Sequence, residues 1–213
     1  MKYKTIKNKP TTYVSKNPFK HRPWQTAILD DKHPNKAIEK SRQLGMSEIG
    51  VTEVLHFLIM NLSTKAMYLF PRASQMMDFS KSRIKPVLQA SQYFDDMIDK
   101  SFDSITTKRI LDSWLFMRSG WDGGLGEGVD TDFLAIDEYD RMKEGVEIAF
   151  QEGLSSSKYG LMRRWSTPSI PGRGINNIMG QSDQMRYVWT CEHCGEKQFL
   201  TFDDNIIQVK PHG

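Results

Sequence analysis

Cysteine is nearly absent from this chain. Only Cys191 and Cys194 occur among its 213 residues, at C-x-x-C spacing. That excludes a disulfide framework, fits a reducing compartment, and leaves a metal or redox role open to the pair. Long apolar runs are missing too. No stretch approaches the roughly 20 residues needed to cross a bilayer, so no membrane partner is expected. The basic start, Met1-Lys2-Tyr3-Lys4, has no apolar segment behind it and is not a secretory signal. There is no internal repeat. Acidic residues are absent from positions 1–22, where Lys2, Lys4, Lys7, Lys9, Lys16, Lys20 and Arg22 stand against a net charge of only +3 for the whole chain. The rest is therefore mildly acidic. A basic arm on such a body suits an electrostatic contact with nucleic acid, or is simply a solvated tail.

What is present describes a soluble globular chain, with 38% hydrophobic and 26% charged residues. The length holds one α/β domain and a small appendage. Residues 1–20 read as the arm. A helix is expected from Arg22 to Asp30, with Pro23 in its first turn, and a short strand from Ala37 to Arg42. Helical spacing of Ile49, Val51, Val54, Leu55, Leu58 and Ile59 extends a helix from Ser47 to about Leu62. Ala66 to Phe70 forms a compact apolar strand stopped by Pro71. A helix from Ser74 to Gln89 should kink or end at Pro86.

Ile105–Ile110 and Ser113–Arg118 are expected to pair as a hairpin across Leu111-Asp112. Gly120 to Gly128 holds five glycines and suits a mobile loop. Strands from Phe133 and from about Tyr159 to Trp165 flank a helix over Lys143–Gly153. Ile170 to Ser182, with Pro171, Gly172, Gly174 and Gly180, reads as a linker. Residues 184–202 read as strand, cysteine turn, strand. Strands alternating with helices point to a mostly parallel, doubly wound sheet.

Two segments carry chemistry. Phe133-Leu134-Ala135-Ile136 suits a strand buried on both faces of a parallel sheet, and it runs straight into Asp137-Glu138. Acids there emerge where open α/β sheets bind ligands. An Asp can hold Mg²⁺ while the neighbouring Glu orients or deprotonates a water. A buried strand feeding an acidic helix start explains the same residues. The second segment is Lys40-Ser41-Arg42-Gln43-Leu44-Gly45-Met46-Ser47, a strand end opening into an amphipathic helix. A phosphate-binding loop needs backbone N–H groups around the oxygens, a helix N-terminus, a cation and a hydroxyl for Mg²⁺. Gly45 permits the close approach and Ser47 supplies the hydroxyl. Met46 occupies the place where such loops usually carry lysine. Alone, the segment reads better as a strand–turn–helix N-cap at Ser47. With Asp137-Glu138 about 90 residues downstream, the pair reads as a nucleotide site.

These motifs resemble the large terminase subunits of tailed bacteriophages, specifically the N-terminal ATPase domain of the lambda-like branch. Ser41 to Gly45 matches their SRQLG form of the Walker A motif, and Lys40 matches the displaced lysine of that branch. Phe133 to Glu138 matches the Walker B motif with its catalytic glutamate. Ser166-Thr167-Pro168 resembles the coupling motif, and Arg22-Pro23-Trp24-Gln25 the adenine-recognition segment. The likeness spans about residues 20 to 200.

The resemblance implies an ASCE-type P-loop NTPase, with a mostly parallel central sheet flanked by helices and non-adjacent Walker strands. It implies Mg²⁺-dependent ATP hydrolysis that moves double-stranded viral DNA into a procapsid. It also implies a homo-oligomeric ring on a portal, a small terminase subunit as partner, and the cytoplasm of the infected host cell as location. Residues 41–47 (Ser41, Arg42, Gln43, Leu44, Gly45, Met46 and Ser47) would then surround the nucleotide, with Lys40 on the β/γ-phosphates and Gln25 on the adenine edge. Ser47 and Asp137 would organise Mg²⁺, Glu138 would activate water, and Thr167 would report the γ-phosphate state. Arg42 stands where an arginine acts on the transition state in cis, or pairs with Glu39. Arg72 and Arg83 lie where a neighbouring subunit can receive a finger, or are surface residues.

Cys191-Glu192-His193-Cys194-Gly195 resembles one zinc knuckle. Cys191 and Cys194 supply half of a tetrahedral Zn²⁺ site; His193 reaches it only with strain and His212 is distant. Two reduced cysteines in a hairpin turn are the alternative. The expected organisation is an arm over 1–20, the ATPase domain over 21–180, and a linker and hairpin over 181–213, cut short before a nuclease domain. Two other functions fit the motifs less fully: a helicase-like translocase of another P-loop class, and a non-hydrolysing nucleic-acid-binding module.

Overall fold

The computed structural model describes residues 3–6, 9–12, 23–120, 129–191 and 193–198. At its centre is a six-stranded sheet in the order β3-β8-β7-β4-β6-β5. Its strands are β3 (Asn35–Glu39), β4 (Lys65–Phe70), β5 (Thr107–Ile110), β6 (Ser113–Ser119), β7 (Phe133–Asp137) and β8 (Leu161–Ser166). All neighbours are parallel except the β5 edge, which pairs antiparallel to β6. The strand β8 lies between β3 and β7, so the strands feeding the two acidic and phosphate-loop segments do not touch.

Side-chain alternation along the strands divides the core into two layers. Ala66, Tyr68 and Phe70 of β4, with Phe133 and Ala135 of β7, face α2 (Met46–Met60). Met67 and Leu69 of β4, with Leu134 and Ile136 of β7, face Val146 and Phe150 of α6 (Val146–Gln151). Every residue of β7 is buried, as a continuous apolar run in a parallel sheet requires. The N-terminal helix α1 (Pro23–Asp30) completes the α2 side.

Pro86 leaves a specific mark. The helix after β4 is continuous but composite: α3 (Ala73–Phe79), a π-helical turn over Ser80–Ile84, and α4 (Lys85–Gln89). Pro86 has no N–H for the carbonyl four residues earlier, and its ring pushes that carbonyl aside, so the turn before it widens. A short helix, α5 (Gln92–Asp95), follows. The β5–β6 hairpin forms as expected, with Ile110 opposite Ser113 and Leu111 at φ 53 in the turn.

Three expectations need correction. The strand before the phosphate loop runs over Asn35–Glu39, earlier than Ala37–Arg42, because Ser41 and Arg42 turn outward to solvent. Part of the arm is ordered as an antiparallel hairpin of β1 (Tyr3–Ile6) and β2 (Lys9–Thr12), whose Tyr, Thr and Ile favour extended backbone. The segment read as a linker contains α7 (Gly174–Gly180). Its glycines sit at positive φ before and at the helix start, 74° at Gly172 and 53° at Gly174, where they open a turn, and Ile175 is fully buried. The glycine-rich loop from 121 onward, and the chain beyond residue 198 with His212, lie outside the described residues.

Candidate nucleotide site

The site forms where β3 and β7 end. After β3 the Lys40 N–H donates to the carbonyl of Ser166, which holds the loop's entry against β8. The loop then reverses through left-handed backbone at Gln43 (φ 63) and Gly45 (φ 77). Only at Gly45 is that conformation free of side-chain strain. Gly45 ends the loop as the N-cap of α2, and its carbonyl accepts from the N–H groups of Glu48 and Ile49. Ser41, Arg42 and Gln43 are exposed and Leu44 is half-buried, whereas Met46 is 3% exposed within the core. Met46 can therefore offer a ligand its backbone only.

Gln25, on α1, is buried, and its Nε2 donates to the carbonyls of Leu44 (3.2 Å) and Gly45 (3.4 Å). It clamps the loop from behind. Arg22 of the same segment lies outside the described residues. Glu39, the carboxylate considered as a partner for Arg42, instead accepts from Asn176 Nδ2 on α7 at 2.9 Å.

Opposite the loop, Ser47 Oγ donates to Asp137 Oδ2 at 3.0 Å. Asp137 is 5% exposed, and burial pushes its carboxyl above the ordinary Asp range; the Ser47 hydrogen bond opposes that rise, and the Glu138 charge adds to it. Glu138 breaks from the strand in left-handed backbone, φ 52 and ψ 50. For a residue with a Cβ that conformation costs about 1–2 kcal/mol. Its Oε1 lies 3.3 Å from Lys40 Nζ, and its Oε2 lies 3.9 Å from Arg141 Nε. Lys40, Ser47, Asp137 and Glu138 thus converge on the first turn of α2, where backbone N–H groups favour anions.

Thr167 follows β8, beside the same strand ends. Its Oγ1 is buried with no hydrogen-bond partner in the structure. An orphaned buried hydroxyl is costly and calls for an explanation. Arg83 is exposed and pairs with Glu48 on the first turn of α2. Arg72 is exposed.

Several contributors escaped the sequence reading. Gly50 faces the sheet so closely that a Cβ there would lie 2.5 Å from Trp165 Cη2 and 2.8 Å from the Tyr68 hydroxyl. Asp140 ties the turn after β7 to the segment after β8. Its Oδ2 accepts from the Ser169 N–H (2.8 Å) and hydroxyl (2.9 Å), and its Oδ1 from the Ile175 N–H (2.7 Å). No local pattern marks either residue, because both are defined by what the fold brings against them. Glu53 on α2 is bracketed by Lys36 Nζ (3.2 Å) and Arg163 Nε (2.7 Å), an ion cluster of nearly buried side chains.

Cys191 and Cys194 lie in the turn between β9 (Trp189–Thr190) and β10 (Lys197–Gln198), an antiparallel pair, as the strand–turn–strand reading expects. Hydrogen bonds from Cys194 and His193 lower the Cys191 thiol below its ordinary range. Among the described residues no group of three or more His, Cys, Asp or Glu side chains is placed to hold a metal, so zinc has no support there. No helix among them is long and apolar enough to cross a membrane.

Residues 8–212 match the family model described as "Phage terminase large subunit gpA, ATPase domain". Among solved structures the fold resembles the large terminase ATPase domain of Thermus phage P74-26. That match has 19% identity and a TM-score of 0.56, covering 75% of this chain and 71% of that one. A mutant of the same domain matches at 18% identity and TM-score 0.55, covering 68% of this chain and 64% of that one. The HK97 bacteriophage large terminase matches at 11% identity and TM-score 0.63, covering 78% of this chain and 36% of that one. This chain thus spans under two thirds of the mutant domain's length and little more than a third of the HK97 protein's. No curated protein matches.

Proposed function

The chain belongs to the phage terminase large subunit gpA family, ATPase domain, and from that premise we propose that it hydrolyses ATP, with Mg²⁺, at the ends of β3 and β7. The observation that carries the reading is the convergence of Lys40, Ser47, Asp137 and Glu138 on the first turn of α2. The loop and helix N–H groups from Gln43 to Ser47 accommodate phosphate oxygens, and Lys40 supplies the cation that Met46 cannot. The Ser47 hydroxyl and the Asp137 carboxylate are hard oxygen donors 3.0 Å apart, a donor set that fits Mg²⁺. When bound, Mg²⁺ neutralises charge developing on the transferred phosphoryl group.

Glu138 orients the attacking water and takes its proton. Until phosphate engages the lysine, Glu138 and Lys40 neutralise each other's charge across 3.3 Å. The orphaned Thr167 hydroxyl is available to report the γ-phosphate, and exposed Arg42 to reach the transition state in cis. Gln25 gives its Nε2 to the loop carbonyls, which leaves its Oε1 as the acceptor for an adenine amino group.

The separation of β3 from β7 by β8 supports the ASCE assignment. The family supports a wider role: a DNA-packaging motor that moves double-stranded viral DNA into a procapsid in the host cytoplasm. In that role residues 21–180 form the motor unit, working as a ring on a portal with a small terminase subunit. Glu138→Gln tests the core of the proposal. It should abolish ATP turnover while keeping nucleotide binding; equal, negligible turnover in both proteins would indicate a binding module instead. Stimulation by duplex DNA over single strands separates packaging from helicase-like translocation.

A further inference from the structure

The geometry points to Asp140 as the residue that positions Glu138 for its work on water, by pinning the turn after β7 to the segment after β8. The inference rests on the reading of Glu138 as the water-orienting acid.

Glu138 is held in a backbone conformation that residues with a Cβ avoid, so something must fix the chain on both sides of it. Upstream, β7 does so through its ladders to β4 and β8. Downstream the chain makes a single 3₁₀ turn, Tyr139–Arg141, closed by the Arg141 N–H on the Glu138 carbonyl at 2.9 Å. One such turn is too short to be stable by itself. Asp140 sits in its middle and is the anchor.

The anchoring is dense. The Asp140 N–H donates to Ser166 Oγ at 3.1 Å, and its two carboxylate oxygens accept three hydrogen bonds from Ser169 and Ile175. Hydrogen bonds to an ionised acceptor are stronger than neutral ones. Gly174 shows how closely the partner segment has been drawn in: a Cβ there would lie 2.5 Å from Asp140 Oδ1. Asp140 bonds to Ser166, Ser169 and Ile175, and none of these belongs to residues 40–47. The segment it grips instead brackets Thr167. Loss of Asp140 should therefore release Glu138 and leave the nucleotide's own binding groups in place.

The test uses the full chain, with steady-state ATP turnover and titration of a fluorescent ATP analogue. Wild type, Glu138→Gln, Lys40→Ala, Asp140→Ala and Asp140→Asn are compared. Asp140→Ala should lower kcat by on the order of 10²-fold, the effect of a misplaced catalytic group, with KM and analogue affinity unchanged. Asp140→Asn, which keeps one acceptor oxygen, should recover part of kcat. Gly174→Ala, which crowds the same carboxylate and strains left-handed backbone at φ 53°, should reproduce the kcat loss through the same segment. Should Asp140→Ala fail to fold, the Asn and Gly174 variants carry the same split.

Parallel losses of kcat and affinity would reduce Asp140 to a structural cap and overturn the inference, as would an unchanged kcat. Lys40→Ala, expected to lose affinity, shows that the titration can detect such a loss. If wild type turns over no faster than Glu138→Gln, the ATPase reading fails and the positioning role falls with it.

Discussion

Lys40 Nζ and Glu138 Oε1 lie 3.3 Å apart across 98 residues of sequence. The cation at the mouth of the phosphate loop and the acid at the end of β7 thus form an ion pair, with the lysine side chain 7% exposed. A lysine so placed stands beside the acids at the strand ends even though it precedes the loop rather than closing it.

Lys40→Ala should weaken ATP binding by about 10- to 100-fold, the worth of a charge-assisted hydrogen bond or two. Arg42→Ala, which removes an exposed side chain, should weaken binding less and act mainly on kcat. A nucleotide titration of both variants checks the ranking. The reverse order would mean that Arg42 is the main phosphate cation.

Asp137→Asn should stabilise the ligand-free protein at neutral pH while abolishing Mg²⁺-dependent turnover. Burial raises the Asp137 carboxyl in the folded chain, so the folded state binds its proton more tightly than the unfolded chain does. The cost of ionising it is absent below the unfolded value of about 3.9. That cost grows as pH rises through the folded value and is then constant. The melting-temperature advantage of the Asn variant should accordingly appear at pH 7 and vanish near pH 4. An advantage independent of pH would refute this origin.

Gly50→Ala should destabilise the fold. The new Cβ would fall 2.5 and 2.6 Å from two carbons of the buried Trp165 ring. Overpacking costs about 1–3 kcal/mol, against a gain of up to about 1 kcal/mol from replacing a helical glycine. The net should be a loss of on the order of 1–2 kcal/mol by urea unfolding. Gly180→Ala is the contrast. Its Cβ would meet nothing within 4 Å, so it should be neutral or mildly stabilising.

Glu53→Ala should cost about 3–5 kcal/mol, because it leaves two cations buried without their counter-ion. Lys36 and Arg163 both expose only 5% of their side chains. Burial already lowers the Lys36 amine below its ordinary range, and Glu53 is the main group holding it up. Adding Lys36→Met should restore part of the loss. A Glu53→Ala protein within about 1 kcal/mol of wild type in denaturant titration would show the cluster to be worth little.

Much of the parallel sheet was legible in advance. Strands β4 and β7 follow from short apolar runs with turn residues at their ends, and residue types alone single out the two segments that the fold brings together. The composite α3–α4 helix was anticipated at Pro86, since a missing N–H acts locally. The glycines of residues 170–182 look like breakers in the sequence, so the segment reads there as a linker. Only the structure shows that two of them form the turn that opens α7 under Asp140, with Ile175 buried behind it.

By itself, the sequence determined the local chemistry of this protein: a glycine at the left-handed end of the phosphate loop, a hydroxyl at a helix start, and two acids at the end of a buried strand. These depend on neighbours in the chain, so residue type and spacing suffice. The tertiary structure alone decided which distant groups meet. It set Lys40 against Glu138, sent Met46 into the core, and gave Asp140 three donors from beyond β8. Those pairings arise from strand order and from the closeness of helix to sheet, and no single segment of the sequence contains either.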